Sequence, residues 1–452
     1  MKLFGSSGIR GLVNVDVTPL LAQKVGAALA SQFEGGAIIV GRDTRLSGRM
    51  LEAALSSGIA SCGFVTGTLG IVPTPVVALL TREMGAEAGV AITASHNPPE
   101  YNGLKIFDTT GMAYTVEQQA ALEETIEKAE FKTSSWSRVG RVEEIDGGRF
   151  YIDTLANAIG FTGEWNVVCD LFNGATCTVA PDVFNELGCN ATMLNAQPDG
   201  SFPAGNPEPN TESLARLGRM VRETKASIGF GFDGDGDRMM AVDEKGNIPS
   251  PDRVLAAYAK HVVEERDGGV VVTHVGASMC IDEAVESAGG SVFRTKVGDV
   301  HITEAMLANE AVFGGEPVGA WVHPEVHLCP DGILSALELM LALEEEGKTL
   351  SEMVADIPDY PTLRAKVECP NKVKERVMDG VSSNYSEGFS DVRKVTVVDG
   401  VRIELEDGWA LIRPSGTEPV IRITVEAREE KRAIELLEAS RSFVRSVLGG
   451  IV

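Results

Sequence analysis

From its start to Pro361 the chain alternates short apolar, β-branched runs with stretches whose apolar positions recur every three to four residues. The run Ala37-Ile38-Ile39-Val40 precedes a helical pattern over 48–62, and further strands are predicted at 88–93, 165–170, 226–232, 239–242, 270–274, 291–295 and 311–314. Strand followed by helix, repeated, is the pattern of parallel α/β units. The units fall into three blocks, separated by a polar, charge-mixed stretch over 132–148 and by Pro249-Ser250-Pro251-Asp252.

After Ile357-Pro358-Asp359-Tyr360-Pro361 the pattern changes. Strands are predicted at 364–368, 393–398, 401–406, 409–413 and 420–427, with a closing helix over 431–448. Asp399-Gly400 reads as a two-residue hairpin turn, because Asp-Gly supplies the positive φ angles such a turn needs. The expectation is four domains, at 1–148, 149–250, 251–361 and 362–452, the last an α+β domain dominated by antiparallel pairing.

Composition narrows the classes. A chain of 452 residues exceeds the ~250 to 300 at which one core stops growing. A formal charge of −25 disfavours nucleic acid and anionic membrane surfaces, both polyanions. If the ligand is itself anionic, local clusters of Arg and Lys must draw it in against that field. The seven cysteines form no CxxC pair and lie mostly in apolar runs, as buried thiols of a reducing compartment do. No stretch approaches the ~18 apolar residues of a membrane helix, and the opening residues lack a signal-peptide core, so a cytoplasmic protein is expected, monomeric or homodimeric.

The first candidate chemistry is Phe232-Asp233-Gly234-Asp235-Gly236-Asp237-Arg238, between two predicted strands. Carboxylates at every second residue, with glycines that let the backbone curl, can converge on one hard cation. An EF-hand is excluded because Arg238 stands where that loop needs glycine and the flanks are strands. Three carboxylates leave a magnesium ion open positions, which phosphate oxygens commonly fill. In Thr93-Ala94-Ser95-His96-Asn97-Pro98, the hydroxyl of Ser95 sits in a loop at the carboxyl end of a strand, where ligands of open α/β sheets bind. Once phosphorylated, Ser95 would give the cation a further ligand and the protein a phosphoryl group to donate, with Lys105 and His96 as nearby groups for charge or proton transfer.

Arg413-Pro414-Ser415-Gly416-Thr417-Glu418-Pro419, with Arg422 on the next strand, combines guanidinium forks, hydroxyls and free amides into a candidate phosphate clamp. Gly314-Gly315-Glu316-Pro317-Val318-Gly319-Ala320 is a glycine-rich loop in which Glu316 can accept hydrogen bonds from sugar hydroxyls. Two smaller segments, around Arg10 and around Lys296, each set a cation among small residues suited to phosphate or sugar oxygens. His323 and His327 are spaced as a zinc pair on a helix would be, but Pro324 bars the helix and they read as structural.

Together and in this order, TASHNP, DGDGDR and RPSGTEP resemble the α-D-phosphohexomutase superfamily, over 5–419, with an opening segment most similar to its phosphoglucosamine mutase branch. The resemblance implies three similar mixed α/β domains and a smaller C-terminal α+β domain around a central cleft. It implies that Ser95 is phosphorylated and binds magnesium with Asp233, Asp235 and Asp237, and that Arg238 neutralises the phosphoserine. Arg10 and Lys105 would stand by the reacting hydroxyl, Glu316 would read the sugar, and Arg413, Ser415, Gly416 and Thr417 would hold the distal phosphate. A small phosphosugar is the implied substrate, converted through a glucose or glucosamine 1,6-bisphosphate. Where many relatives carry serine and histidine in the sugar loop, this chain has Val318 and Ala320, which leaves glucosamine phosphate and a mixed hexose phosphate specificity both open. A phosphatase and a noncatalytic metal-binding protein are the readings from other classes; the first needs no second phosphate clamp, the second needs neither Ser95 nor Arg413.

Overall fold

A computed structural model describes residues 3–5, 7–416 and 418–451. Residues over 4–144 form a seven-stranded sheet in the order Phe4–Gly5, Gly8–Leu12, Tyr101–Phe107, Ala88–Ile92, Ala37–Arg42, Val65–Ile71, Val142–Glu144. Two four-stranded sheets follow. The first runs Met239–Val242, Ile228–Phe232, Asn166–Asp170, Asn190–Leu194, and the second Ser291–Thr295, Val270–His274, Phe313–Gly315, Trp321–Val322. Helices cover them, and their starts follow local rules: Thr115 and Gln118 close a reciprocal cap on Val116–Lys128, and Asp331 caps Gly332–Glu346.

The strand predictions meet their elements closely, but the sheets are mixed. In each of the first three domains one strand is followed by a short antiparallel return: Ala88–Ile92 with Tyr101–Phe107, Ile228–Phe232 with Met239–Val242, Phe313–Gly315 with Trp321–Val322. The intervening loops, 93–100, 233–238 and 316–320, are too short for the crossover helix a parallel neighbour requires. These three loops are the segments singled out for chemistry.

The last sheet is wholly antiparallel, in the order Thr362–Glu368, Val420–Ala427, Gly408–Pro414, Val401–Glu404, Lys394–Val397. Its third hairpin loop, 415–419, is the clamp candidate. The turn at Asp399-Gly400 differs from expectation: Val397 pairs with Val401, so the loop has three residues, and Gly400 takes the left-handed position at φ +89°. The helix Lys374–Gly388, on the same sheet face as Glu430–Gly449, was not anticipated.

One continuous core joins the first three domains, running from Val76 and Val77 through Phe230 and Phe232 to Leu337 and Met340. The fourth has its own core around Val381, Ile423 and Phe443. It meets the third through a small cluster of Val275, Trp409 and Leu411, where the guanidinium of Arg402 stacks 4.0 Å from the Trp409 ring and donates to Val275 O at 2.7 Å. Among the described residues no helix is long and apolar enough to cross a membrane.

Candidate active site

Ser95 follows a strand buried at every residue and is itself fully buried, at φ +51°. A serine in the left-handed region is uncommon and must be held there by its surroundings. The holder is Arg45, also buried, which donates to four carbonyls of the loop: Ser95 at 2.8 Å, Asn97 at 2.6 Å, Pro98 at 2.5 Å and Tyr101 at 3.0 Å. Asp43 accepts from Arg45 Nε at 2.9 Å and from Thr93 Oγ1 at 2.8 Å, while Thr93 Oγ1 accepts from Ser95 N at 2.8 Å.

So fixed, Ser95 Oγ donates to Asp233 Oδ2 at 2.6 Å. Asp233, Asp235 and Asp237 offer oxygens within 4.8 Å of one another, all buried. The loop curls because Gly236, at φ +75°, turns its amide back onto Asp233 Oδ1 at 3.0 Å, a conformation a Cβ would strain. Thr74, opening a helix of the first domain, donates from its hydroxyl to Asp235 Oδ2 at 2.6 Å. Asp235 Oδ1 and Asp237 Oδ1 are buried with no hydrogen-bond partner. Orphaned carboxylate oxygens converging in one spot are costly without a cation, and an all-oxygen donor set suits magnesium.

Burial, reinforced by the neighbouring carboxylates, raises Asp233 well above the usual carboxylate range. Burial would also raise Asp237, but Lys105 and Arg238 outweigh it and hold it low. Lys105 Nζ lies 3.0 Å from Asp237 Oδ2 and 2.6 Å from Asp299 Oδ2; these two carboxylates overcome its burial and keep it a firmly held ammonium. His96 Nδ1 lies 3.2 Å from Ser95 Oγ and 3.2 Å from Arg238 Nη1. A guanidinium only donates, so Nδ1 is the acceptor and the ring proton sits on Nε2. Burial and the charge of Arg238 lower its pKa, keeping the ring neutral.

Arg10, on a strand two places from Ser95's strand, acts electrostatically on His96 and Asp237. Glu316, buried, accepts from Gly298 N at 3.0 Å and is pushed up by burial and by Asp299. Its loop is anchored to the aspartate hairpin by Met239 N donating to Gly319 O at 3.1 Å; a Cβ on Gly319 would meet Met239 O at 1.8 Å. Val318 lines a cavity with Arg238, whereas Lys296 is exposed and bonds none of these groups.

In the fourth domain Lys366, Arg422 and Arg413 stand directly opposite one another across three strands. Glu418 pairs with Lys366 and Arg422, each at 2.8 Å, and Asp399 with Arg413 at 2.8 Å. Ser415 is buried, its hydroxyl accepting from Glu418 N at 3.2 Å, and Gly416 is exposed. Lys374 staples the loop by donating to Ser415 O at 2.6 Å. Thr417 lies outside the described residues. His323 and His327 are buried and bonded to Ser335 and Asp331, as structural residues.

Arg45, Thr74, Asp299, Lys366 and Lys374 escaped sequence reasoning. Only Asp299 and Lys366 left a trace, as polar residues at the end and on the open face of predicted strands.

A buried serine on a three-carboxylate cluster, with a separate domain presenting a row of cations, is the arrangement a phosphoryl-transfer enzyme uses. The chain belongs to the phosphoglucomutase/phosphomannomutase family: models of its α/β/α domains I, II and III match residues 1–133, 149–246 and 250–360, and that of its C-terminal domain 364–441. It is 45% identical over 446 residues to a Methanopyrus kandleri protein described as "Probable phosphoglucosamine mutase", covering 98% of each chain. It is 42% identical over 455 residues to the phosphoglucosamine mutase of Methanocaldococcus jannaschii, covering 100% of each. A family structure from Burkholderia thailandensis superposes with a TM-score of 0.89 at 28% identity, over 98% of this chain and 97% of that one.

Proposed function

We propose that this phosphohexomutase interconverts glucosamine 6-phosphate and glucosamine 1-phosphate with Ser95 as the phosphoryl carrier. The observation that carries the chemistry is the contact of Ser95 Oγ with Asp233 inside a cluster where Asp235 Oδ1 and Asp237 Oδ1 are buried without a hydrogen-bond partner. The sugar assignment is supported by full-length relatives named phosphoglucosamine mutase.

Asp233, Asp235 and Asp237, with the phosphate on Ser95, would hold a magnesium ion, which when bound supplies charge against the transferring phosphoryl group. In the first transfer the bond from phosphorus to Ser95 Oγ breaks and one to a sugar hydroxyl oxygen forms. The hydroxyl proton leaves the sugar and a proton returns to Ser95 Oγ, and a second transfer reverses this from the other end of a bisphosphorylated sugar. His96, whose Nδ1 lies 3.2 Å from Oγ and accepts from Arg238, is placed to carry that proton. Lys105, locked between Asp237 and Asp299, is placed to act as fixed positive charge. Arg413, Arg422 and Lys366, with the Ser415-Gly416 turn, would hold the phosphate that is not moving. The seven free cysteines fit a reducing cytoplasm.

Intact mass after incubation with glucose 1,6-bisphosphate tests the carrier. One retained phosphoryl group, absent in Ser95→Ala, is expected; release of phosphate without retention would instead make the protein a phosphatase. A panel of glucosamine, glucose and mannose phosphates tests the sugar, and equal rates on all three would replace the assignment with mixed hexose specificity.

A further inference from the structure

One carboxylate in the cleft has no bonded partner. Glu208, in a turn of the second domain, lines a cavity of about 380 Å³ with Arg238 of the same domain, Pro317 and Val318 of the third and Arg364 of the fourth. Its backbone is pinned, the amide donating to Asn206 O at 2.8 Å and the carbonyl accepting from Ser213 Oγ at 2.8 Å. Its side chain is half-buried, and among the described residues its carboxylate has neither a hydrogen bond nor an ion pair. The cavity reaches the chemistry, since Arg238, in its wall with Glu208, lies 3.2 Å by Nη1 from His96 Nδ1 beside Ser95.

An unpaired carboxylate is a misfit in a cleft that must admit phosphates, because it repels each of them. It attracts cations, and the only cation a hexosamine phosphate carries is the ammonium on carbon 2. In the sugar loop Glu316 accepts from Gly298 N and can take a hydroxyl or an amine alike, Val318 is exposed to the same cavity as Glu208 with an apolar side chain, and Ala320 carries only a methyl group. Arg238, the neighbouring cation, already serves His96, Asp237 and Asp233.

We infer that Glu208 is the specificity-determining residue that accepts from the 2-ammonium group of the sugar and so separates glucosamine phosphate from glucose phosphate. This rests on the proposed glucosamine reading. A charged donor leaves a large difference between the two substrates, since a site built around a polar group penalises the analogue that lacks the complementary one.

The test is the ratio of kcat/KM for glucosamine 6-phosphate to that for glucose 6-phosphate, in the full-length wild type, Glu208→Gln and Glu208→Asp, across pH. Both substrates are read on one preparation, so loss of folded protein cancels. The ratio is expected to fall at least tenfold in Glu208→Gln and to recover partly in Glu208→Asp. The wild-type ratio should decline as pH rises and the amine loses its proton, a trend Glu208→Gln should lack. A wild type that prefers glucosamine phosphate while Glu208→Gln keeps the full preference overturns the role of Glu208 and leaves the sugar assignment standing. That result would follow if Glu208 met Arg364 on closure, affecting both substrates alike. A wild type with no preference overturns both.

Discussion

At the scale of residues, the cluster around Ser95 was easier to find than the group that holds its loop in place. Ser95, His96, Asp233, Asp235 and Asp237 were legible because each set lies within a few residues of sequence, where spacing alone says which side chains can converge. Arg45 sits 50 residues from Ser95, and nothing in its own surroundings announces that its guanidinium crosses to the 95–101 loop. Removing it leaves Asp43 charged and buried and several carbonyls unpaired, so Arg45→Ala should cost about 3–5 kcal/mol, read by urea denaturation. Arg45→Lys keeps the charge without the fork. It should fold, yet take up phosphate from the bisphosphate at least tenfold more slowly by intact mass, because Ser95 is free to leave φ +51°.

At the scale of elements, the strand predictions succeeded where apolar runs were dense and missed strands that are polar or interrupted by glycine. Asn190–Leu194 opens on Asn190 and Ala191, and Gly8–Leu12 and Val65–Ile71 each carry two glycines, residues depleted in strands, so none reads as a strand by composition. The helix Lys374–Gly388 escaped because polar residues dominate it and a break at Asn384 interrupts its period. The cation row illustrates the same limit: Arg413 and Arg422 were seen, but Lys366 joins them only through strand register. Arg422→Gln should raise KM for the sugar phosphate about tenfold or more while changing kcat less, the loss expected for one charge-assisted contact to phosphate.

The third-domain sheet also sets a pH dependence. Burial pushes His274 and His323 from 6.5 down to about 3, whereas burial raises the nearby Glu338 from 4.5 to about 7. Below pH 6.5 the unfolded chain takes a proton on each histidine that the folded chain refuses, so their contribution to stability falls as pH drops toward 3. Glu338 works in the opposite sense between 7 and 4.5, because the folded chain keeps its proton and the unfolded chain sheds it. Of these three groups, one net proton therefore favours unfolding between pH 6.5 and 4.5, and two below 4.5. His323→Gln should flatten the dependence of unfolding free energy on pH by about 1.4 kcal/mol per unit below 6.5, measured by denaturant titration from pH 7 to 4.

At the scale of the whole molecule, the count of four domains and the change of architecture near Pro361 were legible, since hydrophobic periodicity reports on such boundaries. The sharing of cores was not. Three domains are joined by one apolar interior and the fourth holds its own, tied on by Arg402, by Met279 N donating to Glu426, by the Arg428–Glu283 ion pair and by a few apolar contacts. Calorimetry should therefore resolve two transitions, and Arg402→Met should lower the one belonging to the fourth domain while leaving the other in place. A single transition displaced as a unit would mean that the contact at Trp409 couples the two bodies fully.

The pairing of Lys366 and Arg422 with Glu418, and of Arg413 with Asp399, gives the fourth domain the character of an ion exchanger. Under the proposed function a sugar phosphate arriving there would displace carboxylates that already occupy the cations, so affinity would reflect only the margin by which phosphate outcompetes them. A small margin would let a bisphosphorylated sugar release one end, turn, and offer the other without leaving the protein.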